Sequence, residues 1–323
     1  MRRDIPPLAE VRRITQKKRD AWWTVLLVDP VATPLVRFVA RRTRITPNQI
    51  TWGALILGLV AAGCFAKGDW YWLIAGALVY HLSFILDCMD GKVARLTGQG
   101  SVFGAWLDYI FDRIRVMACA IALMAGQYSR TGEMIYVWLA AVVVFLDGLR
   151  YINSLEIFKT RHTMRKQIKS RIRSARRAEN QAELTFMEDL LRDNPEADIE
   201  HDATSLPARE EAPSGPVTLA ASQGKVIDLQ QEFRHRFPGY LRFRSFMLRH
   251  RIRTHLVSGI EFQMSVFIIG PLLDQVIGAT VVSAVLLLVF ELAIVYKLLL
   301  STRDFTRTMS SFEQQQQNIT TAA

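Results

Sequence analysis

Long apolar stretches alternate with short charged ones along the chain, and this pattern predicts helices that cross a membrane. A transmembrane helix needs about 20 mostly apolar residues. Six stretches approach that length, at about 49–66, 70–89, 103–126, 134–152, 256–273 and 276–300. The first follows Thr46-Pro47-Asn48, where threonine can cap a helix and proline suits its first turn. We therefore predict an all-α, polytopic membrane protein with six transmembrane helices.

The loops between these stretches differ in charge. Basic residues are concentrated in the N-terminal segment, the 92–100 turn, the 158–253 segment and the C-terminal tail, whereas the other turns hold almost none. Cytoplasmic loops of membrane proteins carry the excess of Lys and Arg. We expect a multi-pass protein of the cell membrane with both termini, and the 92–100 turn, on the cytoplasmic side.

A short amphipathic segment precedes the first predicted span. Residues 1–44 carry eleven Lys or Arg. At helical spacing, Val31, Leu35, Val36 and Val39 of the stretch 30–43 fall roughly on one face, with the basic side chains Arg37, Arg41 and Arg42 mostly opposite. This pattern is typical of a helix lying on a membrane surface. An ordinary basic flank before a span is the alternative interpretation.

The segment 158–253 is a charged insert between the fourth and fifth spans. Its first part is basic, residues 179–211 hold eleven acids, and its last part is basic again. We predict a partly disordered cytoplasmic insert with basic flanks along the lipid headgroups. A solvated helical extension of the neighbouring spans is equally compatible. The predicted organisation is 1–44, 45–157 (spans one to four), 158–253, 254–302 (spans five and six) and 303–323.

Composition narrows the possible partners. The net charge is +10, and its basic residues lie beside apolar segments, which favours an anionic lipid membrane. No segment resembles a nucleic-acid-binding motif, so we expect no nucleic acid. The three cysteines lie in apolar stretches without paired spacing, which argues against a disulfide framework or zinc site. The first twenty residues lack an apolar core, so we expect no cleavable signal peptide.

Four aspartates stand out at the ends of the second and third spans. They fall within 26 residues and are Asp87, Asp90, Asp108 and Asp112. Charges at membrane depth are costly, so such a cluster indicates function. At 100° per residue, the first two share a face with Gly91 and Ala94, and the last two share a face with Gly104. An antiparallel helix pair would bring both faces together, and cations such as Mg²⁺ or Mn²⁺ would relieve their repulsion.

The full pattern resembles the signature of the CDP-alcohol phosphatidyltransferase family. It reads Asp87-x₂-Asp90-Gly91-x₂-Ala94-Arg95-x₈-Gly104-x₃-Asp108-x₃-Asp112. The resemblance implies two Mg²⁺ or Mn²⁺ ions held by the four aspartates. It also implies that Asp112 is the general base for the acceptor hydroxyl. The residues implied to line the CDP pocket are Gly91, Ala94, Arg95 and Gly104.

The same resemblance implies an enzyme of phospholipid biosynthesis. It would transfer a phosphatidyl or other phospho-alcohol group from a CDP-activated donor to an alcohol acceptor, releasing CMP on the cytoplasmic side. CDP-diacylglycerol is the preferred donor, because lipid donors are commonest in the family. The alternatives are a soluble CDP-alcohol donor, a Mg²⁺-dependent intramembrane prenyltransferase or a cation transporter. A homodimer stays open.

Other charged residues give weaker signals. Arg251 and Arg253 precede the fifth span, and either could bind an anionic acceptor. The alternative is that they anchor the helix at the membrane interface and pair with other residues of the chain. Asp147 and Arg150 of the fourth span could pair with each other or line the cavity, and pairing is the preferred interpretation. His81, in the second span, is expected to make an interhelical hydrogen bond and to bind no metal.

Overall fold

In the computed structural model, which describes residues 5–193, 246–254 and 256–322, every regular element is a helix. The helices are α1 (Leu8–Thr15), α2 (Asp29–Arg42), α3 (Pro47–Phe65), α4 (Trp70–Thr97), α5 (Val102–Thr131), α6 (Ile135–Asp193), α7 (Gly259–Leu272) and α8 (Val276–Ala322). A π-helical turn, Thr24–Val28, leads into α2, and another, Ser265–Ile269, lies within α7. The all-α class is thus confirmed.

Among the described residues, four helices are long and apolar enough to cross a membrane. They are α3, α4, the Ile135–Ser174 part of α6 and the Val276–Ser311 part of α8. The other two predicted spans are helical but differ from these four. The first half of α5 carries charged side chains, and α7 is only about 21 Å long against a hydrocarbon core of about 30 Å.

The chain divides into two compact units. The first comprises Met1–Leu155 and Phe237–Lys297, and the second comprises Glu156–Arg236 and Leu298–Ala323. In the first unit, α3 packs against both α4 and α5, and α2 packs against α4. Its core is built from apolar side chains of these helices and of α7, including the fully buried Phe65, Tyr80 and Phe267.

Within the second unit, the described part is a pair of helical segments from α6 and α8. Three apolar residues of α6 are buried at helical spacing, Ile157, Met164 and Ile168, and Leu300 of α8 is fully buried. Arg171 and Glu313 form an exposed ion pair at 3.5 Å. The basic segment that begins at Lys159 is therefore helical.

Helices α6 and α8 extend beyond the predicted ends of their transmembrane spans, which were placed near residues 152 and 300. Both helices continue because no proline or glycine interrupts the sequence from 149 to 193 or from 279 to the C-terminus. Residues 179–193, predicted to belong to the disordered linker, are helical. The predicted features of residues 194–245 lie outside the described residues.

The predicted amphipathic segment forms α2, but a different face packs inward. Ala32, Val36 and Ala40, spaced four residues apart, are buried, whereas Val31 and Leu35 are 46% and 38% exposed. The two alanines let the α2 backbone approach α4, and the larger aliphatic side chains remain outside.

Residues 251–253 are hydrogen-bonded to the N-terminal region. The backbone of Asp20 donates to the Arg251 carbonyl and accepts from the Arg253 amide, both at 2.9 Å. The Arg251 side chain donates to the Gln16 side chain at 2.8 Å and contacts the carboxylate of buried Asp29 at 3.2 Å. These bonds hold residues 251–253 against residues 16–20.

Candidate active site

A tight turn joins the two helices that carry the aspartates. Gly98 ends α4 with φ +68°, a left-handed conformation that glycine adopts without steric cost. Ser101 then caps α5 by accepting a hydrogen bond from the Gly104 amide at 2.9 Å. The chain therefore leaves α4 and enters α5 within four residues, as the sequence predicts.

All four aspartates line one cavity of about 450 Å³ in the first unit. Its wall also contains basic, hydroxyl and amide side chains from the N-terminal region, from α4, α5 and α6, and from the start of α7: Thr15, Lys17, Thr24, Lys92, Arg95, Arg113, Arg150, Tyr151, Ser154, Ser258 and Gln263. The cavity thus offers many polar groups to a charged ligand. Arg95, predicted to line the CDP pocket, lies in this wall.

The other three residues of the predicted CDP pocket lie together in a smaller neighbouring cavity. Gly91, Ala94 and Gly104 line this space of about 170 Å³, and Asn48 of α3 closes one side. A Cβ at Gly104 would lie 2.8 Å from Asn48 Oδ1, so a side chain at this position would require Asn48 to shift. The two cavities share three wall residues, Asp90, Gly91 and Asp108.

A fully buried arginine joins the two acidic helices. Arg115 of α5 contacts Asp87 of α4 at 3.1 Å and Asp112 at 2.5 Å, and its guanidinium lies over the Tyr80 ring. The side chain passes α3 at Gly58, where a Cβ would lie 2.5 Å from Arg115 Cγ. Arg115 therefore compensates two carboxylates at once, and glycine at position 58 leaves space for it.

A second arginine extends the network to α6 and α7. Arg113 pairs with both Asp112 and Asp147, and its guanidinium lies 4.8 Å from the centre of the Tyr151 ring. Gln263 of α7 donates to the other Asp147 oxygen at 2.8 Å. Four helices are thus connected through charged groups and one amide beside the cavity.

The preferred pairing of Asp147 with Arg150 is therefore wrong, and both residues instead line the larger cavity, which was the alternative interpretation. Asp147 bonds to Arg113 and Gln263, and Arg150 instead pairs with Glu291 of α8 at 2.7 Å. Asn153 donates to the same Glu291 carboxylate. The partners of Asp147 and Arg150 come from α5, α7 and α8, which the sequence alone could not identify.

Asp90 is the most buried of the four aspartates, and α3 fixes its position. Thr51 Oγ1 donates to Asp90 Oδ2 at 2.6 Å. Thr51 is itself placed by the start of α3, where Thr46 and Gln49 form a reciprocal capping box. The Thr46-Pro47-Asn48 entry thus begins the helix that orients an acidic group of the site.

The donor set fits a hard divalent cation by its chemistry. Four carboxylates share one cavity, and Asp108 has neither a hydrogen bond nor an ion pair within the described part of the chain. Oxygen ligands of this kind suit Mg²⁺ or Mn²⁺. Among the described residues, however, no three acidic, histidine or cysteine side chains already converge on one point. Asp87 and Asp112 instead contact Arg115.

Several residues of this network were missed in the sequence. Arg113, Arg115 and Lys92 are charged groups within or next to apolar stretches, the same signal that identified the aspartates. Lys92 is buried and pairs with Asp29 of α2. Thr51 carried no comparable signal, because a threonine in an apolar helix is common.

The weaker candidates lie elsewhere. Arg251 is bound to the N-terminal segment and Arg253 pairs with Asp20 at 3.4 Å, and neither lines the cavity. His81 lies edge-on to the Trp23 ring, and its Nδ1 atom is buried without a hydrogen-bond partner in the described structure. The expected interhelical hydrogen bond at that nitrogen is absent there.

Comparisons with known proteins agree with the signature. The chain is 33% identical over 143 residues to a phosphatidylinositol phosphate synthase of Cutibacterium acnes, covering 42% of this chain and 62% of that protein. It is 32% identical over 116 residues to a bifunctional IPC transferase and DIPP synthase of Thermococcus kodakarensis, covering 36% and 25%. It is 29% identical over 117 residues to CDP-diacylglycerol–inositol 3-phosphatidyltransferase 1 of Arabidopsis thaliana, covering 36% and 48%.

The chain spans less than two thirds of the length of each of these relatives. A family match covers the region that contains the signature, including helices α4 and α5, which line both cavities. It extends over residues 44–175 and carries the description CDP-alcohol phosphatidyltransferase. Residues 44–175 of this chain are therefore a CDP-alcohol phosphatidyltransferase domain.

Proposed function

We propose that the protein transfers a phosphatidyl group from CDP-diacylglycerol to a polyol acceptor and releases CMP. The observation that carries this proposal is the pair of cavities that meet at Asp90, Gly91 and Asp108. The smaller cavity offers backbone and small side chains to a nucleotide, and the larger one offers charges to a diphosphate and an alcohol. The two therefore suit the two substrates of such a transfer.

The acidic residues have a defined role in this proposal. Asp87, Asp90 and Asp108, with Asp112 close by, would hold a divalent cation whose charge neutralises the donor diphosphate. Thr51 fixes one carboxylate for this role through its 2.6 Å hydrogen bond. Arg95, in the larger cavity's wall, supplies a positive charge next to the phosphates.

Asp112 is the proposed acceptor of the alcohol's proton. It lines the larger cavity, and its side chain remains 25% exposed. Its oxygens accept hydrogen bonds from Arg113 and Arg115, which hold the carboxylate in one orientation. Each of these oxygens has a second acceptor site, so the alcohol hydroxyl can approach while both contacts persist. A positioned base of this kind contributes about 10²–10⁴-fold to a rate.

The relatives' names support an inositol-type acceptor. They include phosphatidylinositol phosphate synthase and CDP-diacylglycerol–inositol 3-phosphatidyltransferase. Lys17 and Arg95 both line the larger cavity, and neither side chain forms an ion pair within the described part of the chain. Two available cations would suit a phosphorylated polyol, so inositol phosphate is the acceptor to test first.

We further propose that α5 and α7 cross the membrane together with the four apolar helices. The charged side chains of α5 that lie beside the cavity pair with one another or face that cavity, so they need not face lipid. The basic loops support a cytoplasmic location for the termini and for the α4–α5 turn.

The test is CMP release by the purified chain in detergent micelles. CDP-diacylglycerol would be supplied with inositol 1-phosphate, inositol, glycerol 3-phosphate or serine in parallel. Release that depends on one polyol and on Mg²⁺ or Mn²⁺ is the expected result. The Asp90→Asn variant should lose this activity, and Asp69→Asn, an exposed position at the other end of α4, should keep it.

Other outcomes would favour the alternatives. CMP release from a soluble CDP-alcohol alone would reassign the donor. Cation uptake by proteoliposomes, with no CMP release from any CDP donor, would instead support a transporter. Release of diphosphate from a prenyl donor would support a prenyltransferase.

A further inference from the structure

A basic cavity on the N-terminal helices is separate from both cavities of the candidate active site. It measures about 310 Å³ and lies between α1 and α2. Its lining comprises Leu8, Pro34, Phe38 and three arginines, Arg37, Arg41 and Arg42. No lining residue is shared with the other two cavities. Its charge is therefore available for a different ligand.

The three arginines have no acidic partner in the described part of the chain. None of them forms an ion pair there, and Arg37 Nε is buried without a hydrogen-bond acceptor. Glu10, the acidic residue of α1, does not line the cavity. Guanidinium groups bind phosphate oxygens through paired N–H donors, so three of them around one space suit a phosphate group.

Apolar side chains continue from this cavity along the outer face of α2 and the preceding turn. Phe38 lines the cavity and is 59% exposed, and Leu26, Val31 and Leu35 are also exposed. The opposite face of α2 is buried in the first unit, and the Asp29–Lys92 pair connects it to α4. The outer face thus changes from apolar to basic along one helix, as at a membrane surface.

We propose that this cavity binds the phosphate of an anionic phospholipid headgroup. The arginines contact the phosphate, and the acyl chains lie along the exposed apolar residues of α2. A soluble phosphate compound would use the arginines but would leave those apolar residues without a partner. The lipid accounts for both halves of the surface.

The experiment is native mass spectrometry of the full chain in a neutral detergent. The probes are phosphatidylglycerol and phosphatidylcholine with identical acyl chains, titrated separately. Wild type should bind phosphatidylglycerol at least about tenfold more tightly than phosphatidylcholine. Each arginine near an anionic headgroup raises the affinity about fivefold. Arg37→Gln/Arg41→Gln/Arg42→Gln should lose that preference.

The matched control removes the same charge elsewhere in the N-terminal segment. Arg12→Gln/Arg13→Gln/Arg44→Gln changes three exposed arginines outside the cavity and should bind like wild type. An equal loss in the control would reduce the effect to overall charge and overturn the proposal. Unchanged binding by the cavity variant would overturn it as well.

Two further measurements keep the result decisive. Arg41→Gln alone changes an exposed side chain and should weaken phosphatidylglycerol binding about fivefold, even if the triple variant folds poorly. An Arg41→Gln variant that binds phosphatidylglycerol with wild-type affinity would contradict the site. Displacement of the lipid by an equal concentration of inorganic phosphate would identify a soluble-anion site and exclude the lipid assignment.

Discussion

The Arg115 guanidinium lies 2.5 Å from Asp112, one turn earlier on the same helix, and Arg115 is fully buried whereas Asp112 is partly exposed. The same guanidinium contacts Asp87 on α4. Loss of one partner of a buried ion pair is strongly destabilising, because it leaves an uncompensated charge. Arg115 therefore both stabilises the helix pair and sets the orientation of the proposed base.

Arg115→Lys tests this positioning role. Lysine keeps the charge but lacks the planar fork that reaches two carboxylates. We expect turnover to fall by up to about 10²-fold through misplacement of Asp112, with CDP-donor affinity close to wild type. Arg130→Lys, at the other end of α5, where Arg130 pairs with Asp274, is the control. Wild-type turnover in Arg115→Lys, measured as CMP release, would limit Arg115 to packing.

Gly58→Ala tests the close passage of Arg115 past α3. The added methyl group would lie 2.5 Å and 2.6 Å from two carbons of the Arg115 side chain. Overpacking of this kind costs about 1–3 kcal/mol, so the thermal unfolding midpoint in micelles should fall. A Cβ at Gly63 on the same helix would have open space around it, so the unfolding midpoint of Gly63→Ala should not fall. Equal midpoints for the two variants would contradict the tight contact.

Asp90 and Asp112 are expected to respond differently to loss of charge. Asp90→Asn should weaken CDP-donor and metal binding together, because this buried residue lies in both cavities' walls. Asp112→Asn should keep donor binding while CMP release falls by about 10²–10⁴-fold. Donor affinity and CMP release are measured at saturating metal. If Asp112→Asn loses donor binding too, Asp112 is chiefly a metal ligand, and wild-type turnover would remove it from the base role.

Thr51→Val should raise the Mg²⁺ concentration required for half-maximal activity. The variant loses the hydrogen bond that orients Asp90, and loss of such a partner typically costs about 10–100-fold in metal affinity or activity. Thr97→Val, whose hydroxyl bonds only to a carbonyl within α4, should leave the requirement unchanged. Excess chelator should abolish activity in all three proteins. Full activity in chelator would contradict the metal role.

The helices around the site could be predicted from the sequence to within a few residues. The apolar stretches at 49–66 and 70–89 correspond to α3 and to most of α4, because apolar length and the caps at Thr46 and Gly98 are local signals. The ends of α6 and α8 were placed too early. Charge marks where a helix leaves lipid, but a helix can continue through a charged stretch that lacks proline and glycine.

The partners of the charged residues could not be predicted in the same way. The face of each aspartate follows from helical periodicity, but Arg115 reaches Asp87 only because Gly58 of a third helix leaves space. Likewise, Arg150 pairs with Glu291, 141 positions later in the chain. Which charged residues pair depends on how the helices pack against one another, and a single sequence does not specify that packing.

The wall shared by the two cavities has a consequence for the order of the reaction. Since Asp90 and Asp108 line both spaces, the proposed reaction allows donor and acceptor to be bound at once and the phosphatidyl group to pass directly between them. A covalent enzyme intermediate is then unnecessary, and the kinetics should be sequential. Double-reciprocal plots at several fixed acceptor concentrations are expected to intersect, whereas parallel lines would indicate a ping-pong reaction in which CMP leaves before the alcohol enters.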